Sequence, residues 1–183
     1  MPSPLRLWVN SPKDFRNASW YVEALQNEQL KDCTTFLLGV NNTTDKNLIY
    51  TSQDSFKKTI LQNLTLLEYT DQKEYYLRAK YFVLPASLIY LNHSLLEAMS
   101  YGVVPIVTAA AGAEQIITNN QDGFITEYTK EAFAKKMTEV LSINDSEYNQ
   151  LSVKAREKII SDFSIDYYKK RLWEMYKIIN PVL

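Results

Sequence analysis

The chain has 183 residues, 46% of them hydrophobic and 22% charged, with a formal net charge of −1. This length and balance fit one globular domain with a sizeable core, and Lys and Arg are spread along the chain rather than clustered, which gives no electrostatic case for a nucleic-acid partner. The longest apolar runs fall far short of the ~20 residues of a membrane-spanning helix, and Met1-Pro2-Ser3-Pro4 does not read as a signal peptide.

Taken in order, residues 5–9 read as a first strand, 18–26 as a first helix and 34–39 as a second strand. A polar loop follows at 41–46, then a short helix over 55–62, a third strand over 65–69 and a helix over 71–79. Asp71 lies near the N-terminus of that helix, where the dipole favours a carboxylate. The runs Tyr81-Phe82-Val83-Leu84 and 103–107 are continuous, apolar and β-rich, as buried parallel strands are. A short edge strand is expected at Gly123-Phe124-Ile125, followed by helices over 130–141, 146–162 and 165–179. Strands alternating with helices predict an α/β fold, a doubly wound parallel sheet with right-handed crossovers. No repeat or low-complexity linker interrupts the pattern, so residues 1–183 read as a single domain.

Function is most legible between Asn92 and Thr108. Ser94 followed three residues later by Glu97 has the form of a capping box, Leu95, Leu96 and Met99 supply an apolar face, and Gly102 stops the helix. With the strands on either side this is one βαβ unit, whose helix begins at the carboxyl edge of the sheet, where ligands bind in open α/β folds. The amides of Asn92, His93 and Ser94 at that helix start suit a diphosphate.

The stretch resembles the C-terminal, donor-binding domain of the retaining GT-B glycosyltransferases, the large glycosyl transferases group 1 family, whose pattern is roughly Pro-Ser-x-x-Glu-Gly-Phe-Gly, then Leu-Glu-Ala-Met-Ala, then x-Gly-x-Pro-Val-Ile. Pro85, Ala86, Leu96, Glu97, Ala98, Met99, Gly102, Pro105 and Ile106 fall on matching positions. Gly112, Gln115-Ile116-Ile117 and Asp122-Gly123-Phe124 resemble its Gly-Gly-x-Pro-Glu-x-Ile to Asn-Gly segment. Upstream, Val22-Glu23-Ala24-Leu25 and Phe36-Leu37-Leu38-Gly39 resemble its first helix and second strand. The resemblance covers nearly the whole chain and implies a Rossmann-like half of a GT-B fold.

It also implies roles: Glu97 for the donor ribose, the Asn92, His93 and Ser94 amides with Arg16 for the diphosphate, and Gly112 and Thr108 near the sugar. The substrate would be a nucleoside-diphosphate sugar, with no metal and no cofactor, and the acceptor would be held by an N-terminal domain or a partner subunit. Two departures stand out. The family spaces two glutamates with seven residues between them, and Ile89 stands at the first position; the glycine-rich loop after it reads Tyr90-Leu91-Asn92-His93. In the first loop the family's Arg falls on Ser11 and its Lys on Arg16, with Lys13 available to compensate.

Each residue has a plainer reading beside the functional one. Glu97 can serve only as a cap carboxylate, His93 as a rim residue, Arg16 as a solvated loop charge, Gly112 as a turn and Thr108 as a strand end; Gln115 reads as structural. The stripe Ile165, Tyr168, Leu172, Met175, Tyr176 and Ile179 has the spacing of ordinary core packing, with Tyr167 and Trp173 off it. The resemblance implies that helix 165–179 crosses to an N-terminal domain, so these two rings read equally as an exposed contact or self-association patch and as rings resting on neighbouring helices. Cys33 and His93 are the only residues of their kinds, too few for a disulfide or an ordinary zinc site, and a reducing cytoplasm is the expected compartment. Two functions are carried forward. One is the donor domain of a hexose-transferring enzyme acting with retention in surface polysaccharide or glycoconjugate synthesis; the other is a non-catalytic module that kept the fold. A nucleotide-binding protein of another doubly wound family ranks behind both, because neither G-x-x-x-x-G-K-[ST] nor G-x-G-x-x-G occurs.

Overall fold

The computed structural model describes residues 6–9, 16–38, 64–66 and 71–179. The elements are β1 (Arg6–Val9), α1 (Ala18–Ala24), β2 (Thr34–Leu37), β3 (Leu64–Leu66), α2 (Lys73–Tyr76), β4 (Tyr81–Leu84), α3 (His93–Ser100), β5 (Val104–Thr108), α4 (Ala113–Ile116), β6 (Phe124–Thr126), α5 (Lys130–Glu139), α6 (Asp145–Asp162) and α7 (Ile165–Ile179). The sheet is parallel throughout, with strand order β3-β2-β1-β4-β5-β6. The chain therefore winds outward from β1 to β3, returns to pair β4 with the other side of β1, and winds outward again. The carboxyl ends of β1 and β4 flank the point where the winding reverses, the place at which such sheets leave a crevice.

Strand alternation separates two cores. Tyr81, Val83, Val104 and Ile106 point to one face, where Tyr21, Val22, Phe133 and Met137 of α1 and α5 cover them. Phe82, Leu84 and Val107 point to the other, under Leu95, Ala98 and Met99 of α3. The long helix α6 serves both, giving Leu151 to the first core and Ala155 and Ile159 to the second. Strands β4 and β5 are buried along their whole length, which is why they read as unbroken apolar runs.

Several expected boundaries shift. Strand β3 begins at Leu64 and is described only to Leu66, and the expected loop at 41–46 and helix at 55–62 lie outside the described residues. The helix expected over 71–79 contracts to Lys73–Tyr76; Asp71 sits ahead of it and accepts the Lys73 amide at 3.0 Å. The 130–141 helix ends at Glu139 and tightens into a 3₁₀ turn, Val140–Ser142. The stripe on α7 is not core: although the helix touches α6, no residue of it is buried. Trp173 and Tyr176 stack on each other, centroids 5.8 Å apart, and the Lys177 ammonium lies over the Trp173 ring at 5.6 Å.

Candidate functional site

The loop from Pro85 to Asn92, which carries the chain from the end of β4 into α3, is the hub of the carboxyl edge. Its helix start corrects the sequence expectation. Asn92, not Ser94, is the cap: its side-chain oxygen accepts the Leu95 amide at 3.1 Å, so the helix opens at His93 and no Ser94–Glu97 box forms. Asn wins because it stands where the backbone is still extended, with φ −72° and ψ 102°. The cap takes up the third amide of the first turn and leaves those of His93 and Ser94, which have no intrahelical acceptor by geometry, directed at the edge. At the other end Gly102, with φ +77°, closes α3 by donating to Met99 O at 2.8 Å while Val103 donates to Ala98 O at 3.0 Å. That paired closure fixes where α3 stops and β5 begins.

Glu97 lies in the second turn of α3, exposed. Freed from capping duty, its carboxylate turns outward, and Oε2 accepts from the Tyr76 hydroxyl at 3.2 Å. His93 is exposed at the first helical position.

The neighbouring turn, residues 109–115, is held to this loop by the chain's own groups. Ile89 donates its amide to Ala111 O at 3.0 Å, and Leu88 and Ala111 form a parallel bridge. Thr108 is fully buried, and its hydroxyl donates to Ala86 O at 2.6 Å. Its expected place beside a sugar is therefore corrected: a strand-end hydroxyl under a carbonyl is a staple for the loop. Gly112, φ +93°, is needed for backbone approach, but of the chain itself, since a Cβ there would lie 2.8 Å from Tyr90 N. Over this turn opens a shallow depression of about 270 Å³ lined mainly by alanines, Glu114 and Gln115. Ile89, at the position where the family carries its first glutamate, is 1% exposed and part of the core.

On the β1 side, Ser11 and Lys13 lie outside the described residues. Arg16 is half-buried just ahead of α1, and burial lowers the pKa of its guanidinium, which stays charged at any working pH. Its neighbour Asn17 escaped the sequence reading. Held in the left-handed region at φ 44°, Asn17 donates from Nδ2 to Pro85 O at 2.8 Å and to the Tyr128 hydroxyl at 2.9 Å, tying the start of α1 to the end of β4 and to the turn before α5. The available signal was an Asn directly before a helix start, a residue type that tolerates left-handed backbone. The structure thus gathers Asn92, His93, Ser94 and Glu97 on one helix, joins Gly112 and Thr108 to the loop before it, and brings Arg16 to the same edge through its neighbour.

A parallel sheet whose winding reverses between β1 and β4, with helices packed on both faces, defines a doubly wound α/β domain. A sequence profile described as Glycosyl transferases group 1 matches residues 17–158, and the chain belongs to that family. Comparison with curated protein sequences finds no match. Among solved structures, a glycosyltransferase from Rickettsia africae is 19% identical with a TM-score of 0.78, over 97% of this chain and 48% of that one. Sucrose-phosphate synthase from Thermosynechococcus elongatus is 16% identical with a TM-score of 0.80, over 100% and 47%. Anabaena HepE in complex with UDP and glucose is 12% identical with a TM-score of 0.79, over 95% and 48%. The fold is that of one Rossmann-like unit of the GT-B glycosyltransferases, and the chain spans about half the length of these relatives. No helix among the described residues is long and apolar enough to cross a membrane.

Proposed function

We propose that this domain binds a nucleoside-diphosphate sugar at the carboxyl edge between β1 and β4, as the donor half of a glycosyltransferase that moves a hexose with retention in surface polysaccharide or glycoconjugate synthesis in the cytoplasm. The observation that carries the reading is Glu97, exposed one turn behind the open amides of His93 and Ser94. A diphosphate on those amides sits at the positive end of the α3 dipole. Two vicinal hydroxyls of a ribose suit a carboxylate, which only accepts hydrogen bonds. That HepE carries UDP and glucose supports the same class of ligand. Arg16 supplies a fixed positive charge as the diphosphate departs, so fixed dipoles and a cation do the work for which other transferases use a metal, and no cofactor is needed. The acceptor and its base come from an N-terminal domain or partner subunit, and the domain alone binds donor weakly and transfers nothing.

A second reading has its own observation. With Ile89 buried and Tyr90 seated on Gly112, the sugar end of the site lacks the carboxylate that would grip donor hydroxyls. On that reading the domain is a non-catalytic module. Isothermal titration against UDP, GDP and a UDP-sugar, with Glu97→Ala as control, separates the two. Micromolar to millimolar binding of a diphosphate, abolished by Glu97→Ala, supports the donor site; a sugar nucleotide that binds more tightly than its diphosphate favours the transferase. Absence of binding to all three by the wild type overturns the donor reading.

A further inference from the structure

Tyr76 is the residue through which the fold reaches Glu97. It closes α2, is 3% exposed, and its ring stacks on Tyr101 just past the end of α3, centroids 5.6 Å apart and planes within 15°. Its hydroxyl faces three acceptors: Gln72 Oε1 at 2.8 Å, Ser94 O at 3.2 Å and Glu97 Oε2 at 3.2 Å. A phenol has one proton to share among them. Burial raises the pKa of this phenol, and the charge of Glu97 raises it further, so the proton is always present.

Of the three acceptors only Glu97 is an anion, and hydrogen bonds to a charged partner are about twice as strong as neutral ones. Gln72 need not compete. Its amide is nearly symmetric in shape, and a half-turn about its last bond places the NH₂ group on the phenol oxygen at the same separation. The result is a directed chain: Gln72 donates to Tyr76, and Tyr76 donates to Glu97.

We propose that Tyr76 is a positioning residue for the ribose of the bound nucleotide: it holds Glu97 Oε2, fixes the rotamer of an otherwise mobile surface glutamate, and leaves the other carboxylate oxygen to receive the ribose diol. This rests on the donor reading above. A glutamate already held in place does not have to be immobilised when the ligand arrives, so the cost is met on folding rather than on binding.

The test is Tyr76→Phe, which keeps the ring and its stack on Tyr101 and removes only the hydroxyl. The probes are whichever of UDP, GDP and ADP binds most tightly and its 2′,3′-dideoxy counterpart, measured by titration calorimetry. Tyr76→Phe should weaken the diol form by about two- to twelvefold, the cost of immobilising one flexible side chain, and leave the dideoxy form unchanged. Equal weakening of both forms would make Tyr76 a structural residue and overturn the proposal. Unchanged binding of both would overturn it while leaving the donor reading intact. If the wild type binds none of the three diphosphates, the donor reading falls and this proposal with it.

Discussion

Gly112→Ala puts a methyl group where backbone already lies. The position has φ +93°, and the added Cβ would stand 2.8 Å from Tyr90 N and 3.1 Å from Tyr90 Cα. Left-handed backbone costs an L residue about 1–2 kcal/mol, and pressing a methyl into packed surroundings costs about 1–3 kcal/mol. Stiffening of the unfolded chain returns about 0.4–1 kcal/mol. The net loss is close to ~3 kcal/mol, and at about 2–4 °C per kcal/mol for a domain of this size the melting temperature falls by about 6–12 °C. Scanning calorimetry reads the global effect. Amide exchange reads the local one: the Ile89 amide, now bonded to Ala111 O, should lose protection as Tyr90 is pushed off the turn. A variant that melts within about 1 °C of wild type with the Ile89 amide still protected would refute the docking of these two loops.

Thr108→Val removes the donor beneath Ala86 O and should cost about 1–3 kcal/mol in denaturant unfolding, with Thr108→Ser recovering most of it; a neutral Thr108→Val would show that the hydroxyl staples nothing. Asp122 is buried at the turn before β6, and desolvation raises its pKa although the Thr118 amide bonds Oδ1 at 2.8 Å. A raised carboxyl pKa means that its contribution is fully present below the unfolded Asp value and is lost as pH rises through the folded value. Asp122→Asn should therefore melt no lower than wild type at pH 7, and its advantage should shrink as pH falls towards about 4; a fixed deficit at both pH values would contradict the sign. Since α7 buries nothing, Leu172→Glu combined with Trp173→Glu should change unfolding free energy by no more than about 0.5 kcal/mol; a larger loss would mean that this face is covered in solution.

The sheet was legible where burial is complete on both faces. Tyr81–Leu84 was read to the residue, and β5 to within one, because strands buried on both sides are almost wholly apolar, Thr108 at the end of β5 being the polar exception. Glu97 is singled out by its neighbours in the motif, and in the structure it stands exposed in the second turn of α3. Local chemistry was less readable. Ser94 and Asn92 are both good caps, and only the backbone angle at 92 decides between them. Thr108 and Gly112 carry the right residue types for a ligand edge, but both are used by the 86–90 loop, a contact between segments some twenty residues apart that no local pattern announces. Tyr76 and Asn17 were missed for the same reason, since each acts across the fold, on Glu97 and on Pro85. The α7 stripe has core periodicity because an amphipathic helix looks the same whether its cover lies in the same domain or elsewhere.

The central claim is that a nucleoside diphosphate occupies the edge built by α3 and its loop. Chemical-shift mapping of the labelled domain during titration with UDP, and with GDP if UDP is silent, tests it most directly. The account predicts that the amides of His93, Ser94 and Glu97 move together and saturably, with α7 unaffected. Shifts confined to α7 or to the outer face of α6, or a saturating signal elsewhere while His93 and Ser94 stay still, would contradict it.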